Sequence, residues 1–236
     1  MKIVFRADSS LQIGTGHVIR CRTLARTLRE RGAEVTFVCR AHEGNVAHLL
    51  ERDGFPMRML PVAGKAPASP DPYASWVGAT EEQDARETSA AIDGSSDLLV
   101  VDHYGLSAAW EKAMRGAFGK ILALDDLGRS HATDVLMDQN FSRTPEARYE
   151  GRAGDAALLL GPRFALLQPE YAALAAARTP RATAVRRILI FFGGVDRENL
   201  TGRAWAAVTA QSFDEIVLDL VLGTADPHAE IFGGRA

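Results

Sequence analysis

Apolar positions recur along this chain in two alternating rhythms. Lys2-Ile3-Val4-Phe5-Arg6 is a short apolar run of strand type. Val18, Cys21, Leu24, Ala25 and Leu28 then recur at helical spacing and predict an amphipathic helix. The alternation continues with a strand at 34–39, a helix near 45–52, a strand at 57–60, a helix at 80–92 and a buried strand at 98–101. A helix at 107–115 follows, then strands at 120–124 and 134–137, and an apolar run at 158–161 that suits a closing strand. Thr80 stands as N-cap three residues before Gln83, the spacing of a capping box. Such alternation predicts an α/β fold, a parallel sheet covered by helices. Residues 61–78, rich in Pro, Gly and Ala, read as a surface excursion that is neither strongly basic nor rich in aromatics.

Residues 169–177 read as an alanine-rich helix and 178–185 as a linker. A second cycle opens at Arg187: strand 188–192, the turn Gly193-Gly194-Val195-Asp196, helix 200–210 and strand 215–222. The expected division is 1–178 for an N-terminal Rossmann-like domain and 179–236 for the start of a second. Only about fifty residues follow the linker, and an independent doubly wound domain needs on the order of 100, so the sequence is expected to end inside it.

The composition, 47% hydrophobic and 24% charged over 236 residues, suits a soluble chain with a real core. A net charge of −3 gives no electrostatic case for nucleic acid. Arg20, Arg22, Arg26, Arg29 and Arg31 crowd the first helix and read as a solvated face, with Arg20 alone placed to reach a phosphate. Cys21 and Cys39 lack metal or redox spacing and read as small buried hydrophobes. No apolar run has membrane-spanning length, and Met1-Lys2-Ile3 enters a strand with no signal-peptide pattern. A cytoplasmic protein without a membrane partner is expected; oligomeric state is left open.

The chemistry-bearing stretch is Ile13-Gly14-Thr15-Gly16-His17, between the first strand and its helix. Two glycines permit close backbone approach, and a helix N-terminus offers free N–H groups and a positive dipole end to an anion. The same dipole end disfavours an imidazolium, so His17 is expected to be neutral and able to accept a proton. These residues equally suit a tight turn with a capping histidine. NAD is disfavoured, because Ile19 takes the third glycine position of the dinucleotide fingerprint and the second strand runs out at Arg40 rather than an acid.

Polar clusters follow other strands: Arg6-Ala7-Asp8-Ser9-Ser10, Asp102-His103-Tyr104, Asp125-Asp126 and Asp138-Gln139-Asn140. In a parallel sheet all reach the carboxyl edge, where ligands bind. Adjacent aspartates at a strand end point apart, so Asp125-Asp126 predicts no metal site and no cofactor is expected. No Gly-x-Ser-x-Gly elbow occurs.

These blocks, together with Gly161-Pro162-Arg163-Phe164-Ala165-Leu166-Leu167, Phe192-Gly193-Gly194-Val195-Asp196 and Asn199-Leu200-Thr201, resemble the UDP-sugar hydrolases of pseudaminic acid biosynthesis. The resemblance implies a GT-B-like fold of MurG type, with two facing Rossmann-like domains, the second truncated here. It also implies metal-independent hydrolysis of UDP-2,4-diacetamido-2,4,6-trideoxy-β-L-altropyranose with anomeric inversion. By that likeness His17 is the general base, Asp8, Asp102, His103, Tyr104 and Asn140 line the sugar, and Gly16, Gly193 and Gly194 face the pyrophosphate. Gly14, Arg20 and Asp196 complete the expected substrate-binding set. Gln168 stands where the family carries arginine and Val195 where it carries serine or threonine, and the uridine-binding helix is expected downstream of Ala236. The alternatives are a GT-B glycosyltransferase using a UDP-sugar donor and an inactive nucleotide-sugar-binding domain.

Overall fold

The computed structural model describes residues 1–64, 69–179, 184–194, 196, 198–211, 216–223 and 226–232. Val195, Glu215 and parts of the expected excursion (65–68) and linker (180–183) lie outside them. The chain divides into two units, Met1–Gln168 and Pro169–Ala236. Among the described residues of the first unit, seven strands form one sheet: β1 (Lys2–Ala7), β2 (Glu34–Arg40), β3 (Met57–Leu60), β4 (Ser96–Asp102), β5 (Phe118–Leu124), β6 (Val135–Asp138) and β7 (Ala157–Leu160). All pairings are parallel, in the order β3-β2-β1-β4-β5-β6-β7. The chain winds outward from β1 to β3, then restarts at β4 on the other side of β1 and winds the opposite way. That reversal makes a doubly wound sheet whose switch point lies between β1 and β4.

The helices are α1 (Gly16–Glu30), α2 (Ala47–Arg52), α3 (Glu81–Ala90), α4 (Ala108–Met114) and α5 (Pro145–Tyr149). Alternate strand residues feed opposite faces. Ile3, Phe5, Ala7, Val35, Phe37 and Cys39 pack with Val18, Cys21 and Ala25 of α1 and Leu50 of α2. Val4, Val38, Leu99 and Val101 pack with Ala85 of α3, Trp110 and Met114 of α4 and Tyr149 of α5. Both faces are covered, which is why strands such as β4 read as continuous apolar runs. In the second unit, α6 (Pro169–Ala176) precedes β8 (Arg187–Ile190), α7 (Leu200–Thr209) and β9 (Val217–Leu220), and β8 pairs β9 in parallel. Among the described residues no helix is long and apolar enough to cross a membrane.

Two local expectations are corrected. Thr80 accepts Gln83 N–H as N-cap of α3, but the Gln83 side chain bonds Glu87 at 2.8 Å instead of closing a capping box. The arginine-rich face of α1 is not simply solvated: Arg22 and Arg26 both grip Asp53 beyond α2, and Arg29 lies 4.1 Å over the Phe55 ring. Helix α5 was missed because its five residues carry one buried apolar anchor, Tyr149.

The parity that buries Val4 and Val38 also turns Arg6 and Arg40 into the α3 face, and both are fully buried. They meet Asp84 of α3. Its carboxylate accepts Arg6 Nη2 at 2.6 Å, Arg40 Nη2 at 2.7 Å and Trp110 Nε1 at 3.0 Å. Arg6 also forks onto Asp8 at 2.6 and 2.9 Å. Taking such ions out of water costs several kcal/mol each, offset here by the surrounding ion pairs. Asp84→Ala removes the carboxylate that two buried guanidiniums share, leaving Arg6 only Asp8 and Arg40 only Glu87 as carboxylate partners, and urea denaturation is expected to record a loss of about 3–5 kcal/mol.

His131 sits enclosed between Glu111 (Nδ1–Oε1 2.7 Å) and Asp125 (Nε2–Oδ2 3.6 Å). Burial alone would lower its pKa, but Asp125 and Glu111 outweigh it and hold the ring above its ordinary value. A raised folded pKa contributes stability that is complete below the unfolded value, about 6.5, and is lost as pH rises through the folded one. Denaturation midpoints are expected to fall on that alkaline side in the wild type, and His131→Gln to lack this component.

Candidate active site

The loop between β1 and α1 folds on itself. Ser10 and Gly14 exchange backbone hydrogen bonds at 3.3 and 2.9 Å, while Ser10 Oγ accepts Gln12 N at 3.0 Å and Ile13 N at 2.9 Å. Gly14 closes the loop at φ +80°, a left-handed conformation that favours glycine. Helix α1 then starts at exposed Gly16 with no side-chain cap from Thr15 and no acid in its first turn. Its first N–H groups therefore lack side-chain acceptors. A Cβ on Gly16 would meet nothing within 4 Å. His17 follows and is buried.

At the switch point Ala7 of β1 pairs with Asp102 of β4, bringing α1 over the end of β4. His17 Nδ1 lies 2.6 Å from Asp102 Oδ1. A carboxylate only accepts, so the proton of the neutral ring is assigned to Nδ1 and the lone pair to Nε2. Asp102, 85 residues away in the chain, sets a full negative charge against this ring beside the helix dipole. Arg20 forks onto the same carboxylate, Nε–Oδ2 at 2.5 Å and Nη2–Oδ1 at 2.6 Å. Its guanidinium is thus engaged by carboxylates, Asp102 and Asp126. Cys21 Sγ adds a contact at 3.6 Å, so this thiol is more than a small hydrophobe. Burial alone would raise Asp102, yet His17 and Arg20 hold it at about 2. It stays ionised at neutral pH.

Aromatic rings enclose the imidazole. Tyr104 stands edge-on to His17 at 4.5 Å and 84°, and Trp76 at 6.3 Å and 76°. Trp76 stacks on Tyr104 at 5.7 Å, and Tyr73 packs on Trp76 at 4.9 Å. Tyr73 and Trp76 belong to the 61–78 excursion. Tyr73 immediately precedes, and Trp76 lies within, a 3-10 turn, Ala74–Val77, where residues three apart project to the same side. That spacing was the available signal.

Asp8 is fully buried below. Arg40 N donates to its Oδ1 at 2.6 Å, and His103 Nε2 approaches its Oδ2 at 3.3 Å. Burial alone would raise Asp8, yet Arg6 holds it well below the usual carboxylate range. His103 Nδ1 accepts Gly105 N–H at 3.0 Å, and burial pushes the ring below its ordinary pKa, so it is neutral. Asp8, Asp102 and His103 are all enclosed, at 0%, 0% and 2% exposure, and face each other's partners rather than solvent.

The structure thus gathers Asp8, His17, Arg20, Asp102, His103 and Tyr104, with Gly14 and Gly16 alongside. Asn140 is exposed and donates its N–H to Asp138 Oδ1 at 3.0 Å, beside Arg148 and Tyr149. Gly193 (φ +90°), Gly194 and Asp196 lie in the second unit. Both Asp196 oxygens cap α7, taking Leu200 N at 2.9 Å and Thr201 N at 2.7 Å. Among the described residues no group of three His, Cys, Asp or Glu side chains is arranged for a metal ion.

Solved structures resembling this geometry include Acinetobacter baumannii MurG, with a TM-score of 0.54 and 12% identity over 99% of this chain and 63% of that one. Arabidopsis thaliana UGT89C1 complexed with UDP matches with a TM-score of 0.53 and 13% identity over 100% of this chain and 73% of that one. The fold is α/β of the GT-B type. No family model matches the chain. In sequence it is similar to the UDP-2,4-diacetamido-2,4,6-trideoxy-beta-L-altropyranose hydrolase of Campylobacter jejuni, 29% identical over 85% of this chain. It is also similar to an uncharacterized protein of Methanocaldococcus jannaschii, 24% identical over 94% of this chain. The chain spans 63% and 43% of the lengths of these two relatives.

The two loop glycines are expected to separate folding from binding. Gly14→Ala forces a side chain into the left-handed region and costs about 1–2 kcal/mol of stability in urea titrations. Gly16→Ala, at an unstrained position, leaves stability within about 0.5 kcal/mol and weakens phosphate-ligand binding measured by calorimetry.

Proposed function

We propose that this chain supplies the catalytic base of a UDP-sugar hydrolase acting on UDP-2,4-diacetamido-2,4,6-trideoxy-β-L-altropyranose. The observation that carries the reading is the His17–Asp102 pair at 2.6 Å, set at the switch point behind an uncapped helix start. The likeness to the Campylobacter jejuni hydrolase across 85% of the chain supports the substrate.

Asp102 fixes the Nδ1–H tautomer and stabilises the imidazolium that forms, without itself taking a proton. Nε2 removes a proton from water as the water oxygen bonds to the anomeric carbon. The bond from that carbon to the diphosphate oxygen breaks, UDP leaves with the electron pair, and the configuration inverts. His17 then releases its proton to solvent. The N–H groups opening α1 are assigned to the diphosphate, where preorganised donors stabilise growing negative charge. Residues 1–178 are assigned to the sugar and the base, and 179–236 to the nucleotide. Asp8 and His103, enclosed in the fold, act on the site through their neighbours.

Incubation with the UDP-linked diacetamido sugar, followed by NMR, is expected to release UDP and a free sugar of inverted configuration. In ¹⁸O-water the label enters the sugar; label in UDP overturns carbon–oxygen cleavage. His17→Ala is expected to lower kcat by about 10²–10⁴-fold, and an undiminished variant removes the base. Turnover only with an added acceptor alcohol indicates a glycosyltransferase, and binding without turnover a nucleotide-sugar-binding domain.

A further inference from the structure

Of the two adjacent aspartates after β5, Asp125 is consumed by its own loop. It accepts Gly128 N at 2.8 Å, Arg129 Nε at 2.8 Å and the Tyr149 hydroxyl at 3.1 Å. Asp126 turns the other way, and its carboxylate takes no part in folding that loop. Oδ2 pairs with Arg20 Nη1 at 3.0 Å, and Oδ1 accepts the Tyr104 hydroxyl. Neighbouring strands explain the meeting: Tyr104 lies two residues beyond the end of β4, Asp126 two beyond the end of β5, and β4 and β5 are paired.

We propose that Asp126 is the positioning residue of the His17 site, one carboxylate that fixes both the charge partner and the aromatic wall of the imidazole. Through Arg20 it holds the fork on Asp102, and Asp102 holds His17 Nδ1. Through the Tyr104 hydroxyl it holds the ring that stands edge-on to His17 and on which Trp76 stacks. Asp126, Arg20 and Asp102 alternate in charge and end on the His17 ring, so each group is oriented by the next. Without Asp126, Arg20 keeps a single carboxylate partner and the half-buried Tyr104 hydroxyl loses its carboxylate acceptor. Burial and the Asp126 hydrogen bond raise the Tyr104 phenol well above its ordinary value, in keeping with this contact.

This inference rests on the hydrolase reading for its kinetic arm only. In Asp126→Asn, tyrosinate absorbance is expected to bring the Tyr104 titration down by about one unit or more. NMR of ¹⁵N-histidine protein is expected to replace the single Nδ1–H pattern of His17 with a tautomer mixture. kcat is expected to fall about 10- to 100-fold with KM nearly unchanged, and Asp126→Glu to recover part of both the titration and kcat. Tyr104→Phe, which keeps the ring and loses the hydroxyl, gives an independent arm with the same direction in kcat. Unchanged Tyr104 and His17 signals in Asp126→Asn, or lost stability with unchanged kcat, overturn the proposal. Absence of turnover in the wild type overturns the hydrolase reading instead, and the two spectroscopic readouts still decide the role of Asp126.

Discussion

Everything at this site depends on the reversal of winding at β1. Because β2 lies on one side of that strand and β4 on the other, the segments leaving β1 and β4 emerge side by side at the carboxyl edge. A histidine at the start of α1 and an aspartate ending β4, far apart along the chain, become hydrogen-bonded neighbours. The sheet's hydrogen bonds, not the loops, set the distance between them. Register follows as a consequence: with Ala7 opposite Asp102, a slip of one residue would turn the carboxylate to the other face.

Ionic groups that would normally sit in water are enclosed around this point. Arg6, Asp8, Arg40 and Asp84 lie beneath the loops, while Asp102 and Arg20 lie beneath His17. Apolar residues of the same volume would fold as well at less electrostatic cost. What the charged groups contribute is direction. Arg6 and Arg40 tie β1 and β2 to α3, and Asp102 orients the imidazole, so the strand ends and the ring share a rigid frame. Rigidity of this kind is what a base needs if its lone pair is to meet a reactant in a fixed geometry.

Elements with a strong apolar period were legible from the chain. Strand β3 has the bounds expected for it, α1 has its apolar face where Val18, Cys21 and Ala25 predicted, and Thr80 caps α3. Short pieces were not. Helix α5 has one buried anchor and the 3-10 turn after Tyr73 spans four residues, too few for a period to declare itself. Arg20 shows a different limit: one cation near a glycine turn reads the same whether its partner is a phosphate or, as here, Asp102 and Asp126.

From the sequence alone came the order of strands and helices, the glycine turn with its histidine, and the strand-end polar clusters, because each is written in local periodicity and spacing. Which of those clusters touch was decided only by the tertiary structure. Pairing of Asp102 with His17, enclosure of the imidazole by Tyr104 and Trp76, and the opposite uses of Asp125 and Asp126 depend on strand order and side-chain direction. Those are properties of the assembled sheet, in which hydrogen bonds between distant segments, rather than neighbours along the chain, fix where each side chain points.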